Sequence, residues 1–194
     1  VLSPDEDFNQ NNFGRTYEEI TAVYDEMLTD TPKENVRVYI SKAFDSPAEN
    51  LSKCVLKCLD YGNKVVLSDT SGEASPFKVA NGLNTAMEHT TNIAVHLHHG
   101  KMLMDNVATA YNFGVREFDA SIGGLGGCPF VPNSGANLAT EDLVRWCNNR
   151  DIMCFVKLTA MDEAVQFAKK LKHPTISALL KDKVQSTKER IKSA

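Results

Sequence analysis

Two histidines separated by one residue are the clearest metal-ligand signal in the chain. His96 and His98 follow a β-branched run at 93–95 that predicts a short strand. Strand residues two apart face the same side, so two imidazoles with Cα atoms about 6–7 Å apart could hold one ion. The alternative is an exposed histidine cluster at a strand end. Asn137 could add an amide oxygen and Asp69 a carboxylate or a supporting contact. Such mixed ligation favours Mn²⁺ or Mg²⁺, with Zn²⁺ as an alternative.

A glycine-rich loop with one thiol is the second candidate site. Four glycines at 123–127 precede Cys128, which Pro129 follows. Glycines allow the backbone to approach a ligand closely, and a partly exposed thiol is suited to proton transfer or nucleophilic attack. The alternative is a glycine-rich turn with an incidental cysteine, and the residues alone leave both readings open.

Hydrophobic periodicity predicts the elements that position these residues. Strands are predicted at 36–40, 64–67, 93–95 and 115–122. Helices are predicted to begin at Thr16, Ser46, Ser75, Met102 and Thr140, with two more at 160–171 and 177–192. Strands that alternate with helices imply parallel pairing with right-handed crossovers. A doubly wound open sheet and a (β/α)8 barrel both fit this order. The polar residues at strand carboxyl ends weakly favour a barrel, where such ends form the active-site mouth.

Composition excludes several classes of function. The net charge is −4 with no long basic block, so nucleic acid is not expected as a partner. A small anionic substrate is compatible with this charge, because a local site need not follow the net charge. No apolar run approaches about 18 residues, so no membrane span is expected. Five cysteines without a compact disulfide spacing indicate reduced thiols in an intracellular compartment. The chain starts with Val1, and its first residues are typical of the end of a strand, so we expect that a preceding part is missing.

Several motifs together resemble the 3-hydroxy-3-methylglutaryl-coenzyme A lyases, a family of metal-dependent lyases built on a TIM barrel. The glycine–cysteine loop at 118–130 and the segment at 135–144 carry most of this likeness. Residues 68–72 are similar to the family's Gly-Asp-Thr-x-Gly segment, and residues 95–98 are similar to its His-x-His strand. Residues 8–19 resemble the segment that enters the family's fourth helix.

The resemblance implies a role for each candidate residue. It implies that the metal ligands are His96, His98 and Asn137, and that the catalytic groups are Cys128, Asp69, His96 and Glu141. In that arrangement Cys128 is the thiol of proton transfer and Asp69 an acid near the substrate. Glu141 supports the site from the helix after the loop, although from the residues alone it could equally stabilise a helix N terminus.

The implied reaction is divalent-metal-dependent cleavage of 3-hydroxy-3-methylglutaryl-CoA to acetyl-CoA and acetoacetate, as in ketone-body formation or leucine catabolism. Two alternatives remain open: a related lyase or aldolase acting on another acyl-CoA or 2-oxo acid, and a non-catalytic remnant that serves as a binding or oligomerisation module. The family's first strand carries an arginine and a metal-binding aspartate that this chain does not contain. We therefore expect activity only when the missing part is present.

The expected fold is α/β, with parallel (β/α) units forming a partial TIM barrel that lacks about the first half. Residues 1–158 are expected to be the C-terminal half of a lyase domain, and residues 159–194 a helical extension. Such a half barrel should expose two sheet edges and an apolar inner face. We therefore expect a homodimer or pairing with the missing N-terminal half, in the cytoplasm or the mitochondrial matrix.

Overall fold

The computed structural model describes residues 1–127 and 135–171, which form two compact units. Of the described residues, 1–120, 126–127 and 135–138 belong to the first unit, and 121–125 and 139–171 belong to the second. The strands are β1 (Arg37–Ile40), β2 (Lys64–Asp69), β3 (Ile93–Leu97) and β4 (Glu117–Asp119). The helices are α1 (Glu6–Phe13), α2 (Tyr17–Met27), α3 (Ala48–Tyr61), α4 (Pro76–Met87), α5 (Leu103–Asn112), α6 (Thr140–Asn148) and α7 (Leu158–Leu171). The predicted helix at 177–192 lies outside the described residues.

The four strands form one parallel sheet in the order β1-β2-β3-β4. This confirms the predicted alternation of strands and helices. Consecutive parallel strands joined by right-handed crossovers place their helices on one face of the sheet. α3 packs on β1 and β2, α4 packs between α3 and α5, and the apolar core lies beneath them. Leu67 and Val95 are fully buried in this core.

The opposite face of the sheet is mixed, so the expectation of an apolar inner face is wrong where this face carries charged side chains. Because side chains alternate along a strand, the buried Val66 and Ala94 share this face with charged residues near the strand starts and on β4. Arg37 forms an ion pair with Asp119 across 2.9 Å, and Lys64 forms one with Glu117. The predicted dimer or half-barrel pairing stays a prediction.

Some of the predicted elements differ from the structure. The predicted strand at 115–122 is ordered as a strand only over Glu117–Asp119, and Ile122–Gly124 forms a 3-10 turn. α1 was not predicted; its N terminus is capped by Asp5, whose side chain accepts a hydrogen bond from the Phe8 N–H. Ser46 does not cap α3, because its hydroxyl donates to the Lys42 carbonyl instead.

Two local predictions are confirmed. Thr16 and Glu19 form the capping box that begins α2, with reciprocal hydrogen bonds of 3.2 and 2.8 Å. Leu2 pairs in parallel beside Ile40 at the edge of β1, as its strand-like context predicted. In the part of the chain that the structure describes, all four cysteines are free thiols, and no helix has both the length and the hydrophobicity to cross a membrane.

The second unit is built from the turn at Ile122–Gly124, α6 and α7. α7 packs on the turn and on α6. The contact is close at Gly123, where an added Cβ would lie 3.4 Å from the Cβ of Ala168. Thr140 does not cap α6, since Ala139 is the N-cap residue and no side chain bonds there. The predicted boundary at residue 158 between domain and extension stays a prediction.

Candidate active site

His96 and His98 meet as their spacing predicts. His96 lies on the polar side of β3, and His98 follows the last residue of the strand on the same side, with Leu97 between them in the core. Their Nε2 atoms are 3.2 Å apart and their ring centroids are 5.0 Å apart. The ring planes cross at 78°. The two imidazoles therefore converge on one point at the carboxyl end of the strand.

The other nitrogen of each ring determines what that point can bind. Nδ1 of His98 lies 2.8 Å from the Thr70 carbonyl oxygen, and Nδ1 of His96 lies 3.3 Å from Oδ2 of Asp119. Carbonyl and carboxylate oxygens only accept, so each Nδ1 carries a hydrogen, and in a neutral imidazole the Nε2 atom then presents a lone pair. Two facing lone pairs repel unless a cation or a shared proton lies between them.

These residues fit a divalent ion. Metal–nitrogen distances of about 2.0–2.2 Å and angles between octahedral and tetrahedral values place two ligating nitrogens about 2.8–3.6 Å apart. The observed 3.2 Å separation falls in that interval. Metal-binding histidines also donate their second N–H to a carboxylate or a backbone carbonyl, as both rings do here. Burial and the neighbouring His98 lower the pKa of His96, which favours the neutral, ligating imidazole.

Asp119 contacts His96 and two further side chains behind it. The sequence interpretation missed this residue. Its Oδ2 accepts from the Tyr39 hydroxyl at 2.8 Å, and its Oδ1 accepts from Arg37 at 2.9 Å. Asp119 is the register partner of His96 in the parallel pair β3–β4. The available signal was an acidic residue inside the predicted strand that follows the histidine strand.

Asn137 is brought to the histidines by the backbone. It pairs with His98 in an isolated antiparallel bridge, and the Leu138 N–H donates to the Leu97 carbonyl at 2.9 Å. Gly126 has φ +110°, which favours glycine, and a Cβ there would lie 2.4 Å from the Asn137 side-chain nitrogen and would displace that amide. Asn137 therefore lines the same space as the two imidazoles. Its metal-ligand role stays a prediction.

Asp69 points away from this space. Its strand neighbours Ser68 and Thr70 line the cavity, whereas its own carboxylate accepts from the N–H groups of Gly72 at 3.0 Å and Ala74 at 3.3 Å. Burial raises the pKa of Asp69 despite these hydrogen bonds. The carboxylate thus shapes the loop that also presents the Thr70 carbonyl to His98. Its catalytic role stays a prediction, and the geometry favours a supporting one.

The remaining predicted site residues are Glu141 and Cys128. Glu141 belongs to the second unit, where it is buried in the first turn of α6 and accepts from the Gly123 N–H at 2.9 Å. It therefore fixes the 3-10 turn that opens the glycine loop. Cys128 lies outside the described residues. Within 1–127 and 135–171, no three His, Cys, Asp or Glu residues are grouped so that they could hold a metal.

A cavity of about 410 Å³ lies over the histidines. Phe8 and Phe13 of α1 form an apolar wall, with ring centroids 6.2 Å apart in an edge-to-face arrangement. The polar lining comes from Asn12, Tyr39, Ser41, Ser68, Thr70, His96, His98 and Asn137. The volume and mixed lining suit a small organic substrate.

Comparison with known proteins assigns the family. The HMGL-like family model matches residues 4–168. A hydroxymethylglutaryl-CoA lyase of Bacillus subtilis is 31% identical over 181 residues, which are 86% of this chain and 60% of that protein. An (R)-citramalyl-CoA lyase of Chloroflexus aurantiacus is also 31% identical, over 83% of this chain and 55% of that protein.

The fold agrees with this assignment. The structure of an HMG-CoA lyase from Acinetobacter baumannii, in complex with coenzyme A and 3-methylmalate, superposes with a TM-score of 0.78 at 26% identity, over 88% of this chain and 60% of that one. HMG-CoA lyases of this kind are TIM barrels, so the four β/α units are part of such a barrel, as predicted. The chain spans about 55–60% of the length of the curated relatives it matches. Since the family model covers most of the sequence, the chain belongs to the HMGL-like family of lyases.

Proposed function

We propose that this chain carries the imidazole ligands of a divalent-metal-dependent carbon–carbon lyase that cleaves 3-hydroxy-3-methylglutaryl-CoA to acetyl-CoA and acetoacetate. The carrying observation is the pair of Nε2 atoms that face each other across 3.2 Å with both Nδ1 atoms already engaged. HMGL-like lyases generally depend on a divalent metal, and Mg²⁺ or Mn²⁺ suits mixed nitrogen and oxygen ligands.

The chain's own residues divide the work. His96, His98 and Asn137 would hold the ion, which when bound supplies Lewis-acid stabilisation of the substrate's hydroxyl and carbonyl oxygens. Phe8 and Phe13 limit access of water to the cavity, which strengthens electrostatic interactions inside it. Cys128 is proposed to donate a proton to the carbon released by bond cleavage. Asp69 is proposed to support the site by holding the loop that presents the Thr70 carbonyl to His98, and Glu141 to hold the glycine loop.

The substrate has two candidates that share one chemistry. Coenzyme A and 3-methylmalate are bound in the Acinetobacter baumannii structure, which supports an acyl-CoA ligand. The match to a citramalyl-CoA lyase is as close in identity as the match to a hydroxymethylglutaryl-CoA lyase, both being 31%. We therefore propose hydroxymethylglutaryl-CoA first and a related 3-hydroxyacyl-CoA such as citramalyl-CoA second.

Metal binding and turnover test the proposal separately. Mn²⁺ titration of the chain by calorimetry should give saturable binding that His98→Ala abolishes. His99→Ala is the matched control, because His99 is the next residue in sequence and its side chain is exposed. Release of acetyl-CoA from each of the two thioesters, with Mg²⁺ or Mn²⁺, should be measured on this chain and on any longer product of the same gene. Metal binding without turnover in every form would favour a non-catalytic binding module instead.

A further inference from the structure

We propose that Asp119, held in place by Arg37 and Tyr39, is a positioning residue that fixes the ring of His96 so that its Nε2 faces His98. This inference rests on the proposed function, since it concerns how the metal ligands are oriented.

Side chains from three strands converge at this one carboxylate. Arg37 and Tyr39 reach it from β1, His96 reaches it from β3, and Asp119 itself belongs to β4. Oδ1 accepts a hydrogen bond from the Arg37 guanidinium, while Oδ2 accepts from both the Tyr39 hydroxyl and the His96 imidazole. With both oxygens engaged, the carboxylate has little freedom to rotate. Arg37 also compensates the charge that Asp119 places beside the candidate metal site.

The two histidines are oriented by different kinds of group. His98 donates to the Thr70 backbone carbonyl, which no side-chain substitution removes. His96 has a side-chain acceptor, Asp119, whose side chain is 22% exposed. The orientation of His96 is therefore the one that a single mutation can release. Loss of such a partner typically weakens metal binding about 10–100-fold.

The geometry separates a positioning role from direct ligation. Oδ2 of Asp119 lies beside Nδ1 of His96, on the opposite edge of the five-membered ring from Nε2. A carboxylate there supports the ring from behind and does not face the point on which the two Nε2 atoms converge.

Three variants test the assignment through Mn²⁺ affinity by calorimetry. Asp119→Ala should weaken Mn²⁺ binding about 10–100-fold, because Nδ1 of His96 loses its acceptor. Asp119→Asn should weaken it about fivefold, because an amide oxygen still accepts but without charge. Glu117→Gln is the matched control: Glu117 lies two residues earlier on the same face and pairs with Lys64, so its loss should change affinity less than twofold.

Nitrogen NMR of the metal-free proteins adds a readout that a purely structural role would not move. His96 should be protonated at Nδ1 in the unsubstituted chain and should become a mixture of tautomers in Asp119→Ala. If that variant does not fold, Asp119→Asn decides by the same two measurements. An unchanged tautomer with affinity within twofold of the original overturns the proposal. So does complete loss of Mn²⁺ in Asp119→Asn, which would make Asp119 a ligand. If the unsubstituted chain binds no Mn²⁺, the proposed function fails, whereas the tautomer still reports on Asp119.

Discussion

Replacement of Gly100 by alanine should disturb both the stability of the fold and the histidine pair. The loops after β2 and β3 touch backbone to backbone, and a Cβ at Gly100 would lie 1.7 Å from the Gly72 carbonyl oxygen. The loops would have to separate by about 1.3 Å, from 1.7 to 3.0 Å, before the contact became tolerable. No side-chain rotation can relieve a clash with a backbone atom. The same loops carry Thr70 and His98, which are joined by a 2.8 Å hydrogen bond.

The expected cost follows from two opposing effects. Overpacking of this kind costs about 1–3 kcal/mol. Alanine also lowers the entropy of the unfolded chain relative to glycine, which offsets about 0.4–1 kcal/mol. The free energy of unfolding should therefore fall by about 1.3 kcal/mol at the middle of these ranges. With a urea dependence of about 2 kcal/mol per M, the unfolding midpoint should drop by about 0.6 M. Mn²⁺ affinity should fall as well, since the acceptor for His98 moves.

The control is Gly14→Ala. Gly14 has φ +65°, and no atom lies within 4 Å of the point that an alanine Cβ would occupy, so the change strains the backbone without a clash. It should cost about 1 kcal/mol and leave Mn²⁺ affinity unaltered. The argument would be refuted if Gly100→Ala unfolded at the same urea concentration as the unsubstituted chain and bound Mn²⁺ equally well.

Three further predictions concern the core, a helix terminus and a buried acid. Leu67→Ala removes a fully buried side chain and should lower the free energy of unfolding by about 2–5 kcal/mol in urea; a loss below about 1 kcal/mol would contradict the assigned core. Thr16→Ala breaks the capping box of α2 and should cost about 0.5–2 kcal/mol, with Thr16→Ser retaining most of the stability; equal losses in both would exclude the cap as the cause. Burial raises the pKa of Asp69, so the folded chain keeps a proton that the unfolded chain has released, and stability should fall as pH rises from the ordinary carboxyl pKa to the raised one. Asp69→Asn should lack this decline in pH-dependent urea unfolding, and a decline of the same size would assign it to another group.

Local patterns were sufficient to predict the β/α units and the meeting of the histidines. The spacing of His96 and His98 determines a shared face within one strand, so no tertiary information is needed. The same holds for the capping box of α2. The family resemblance rested on contiguous motifs, and the match of the family model confirms it.

Contacts between distant strands could not be predicted in this way. Arg37 and Asp119 are 82 positions apart, and their ion pair depends on the register of β1 through β4. Neighbouring residues in a strand face opposite sides. Ser68 and Thr70 line the cavity, so Asp69 between them faces the other way. Pattern reasoning located the acid at the correct strand end and could not tell which side of the sheet it faces.

Core residues and candidate metal ligands alternate along β3 and the residue that follows it. Val95 and Leu97 are buried on the helix-covered side, while His96 and His98 occupy the other side. A slip of one residue against β2 would turn the imidazoles into the hydrocarbon interior and bring the aliphatic side chains out. Misregistered sheets are therefore penalised twice, through desolvated polar rings and through exposed apolar surface. The histidines that would bind the ion thus also make incorrect strand registers less stable than the native one.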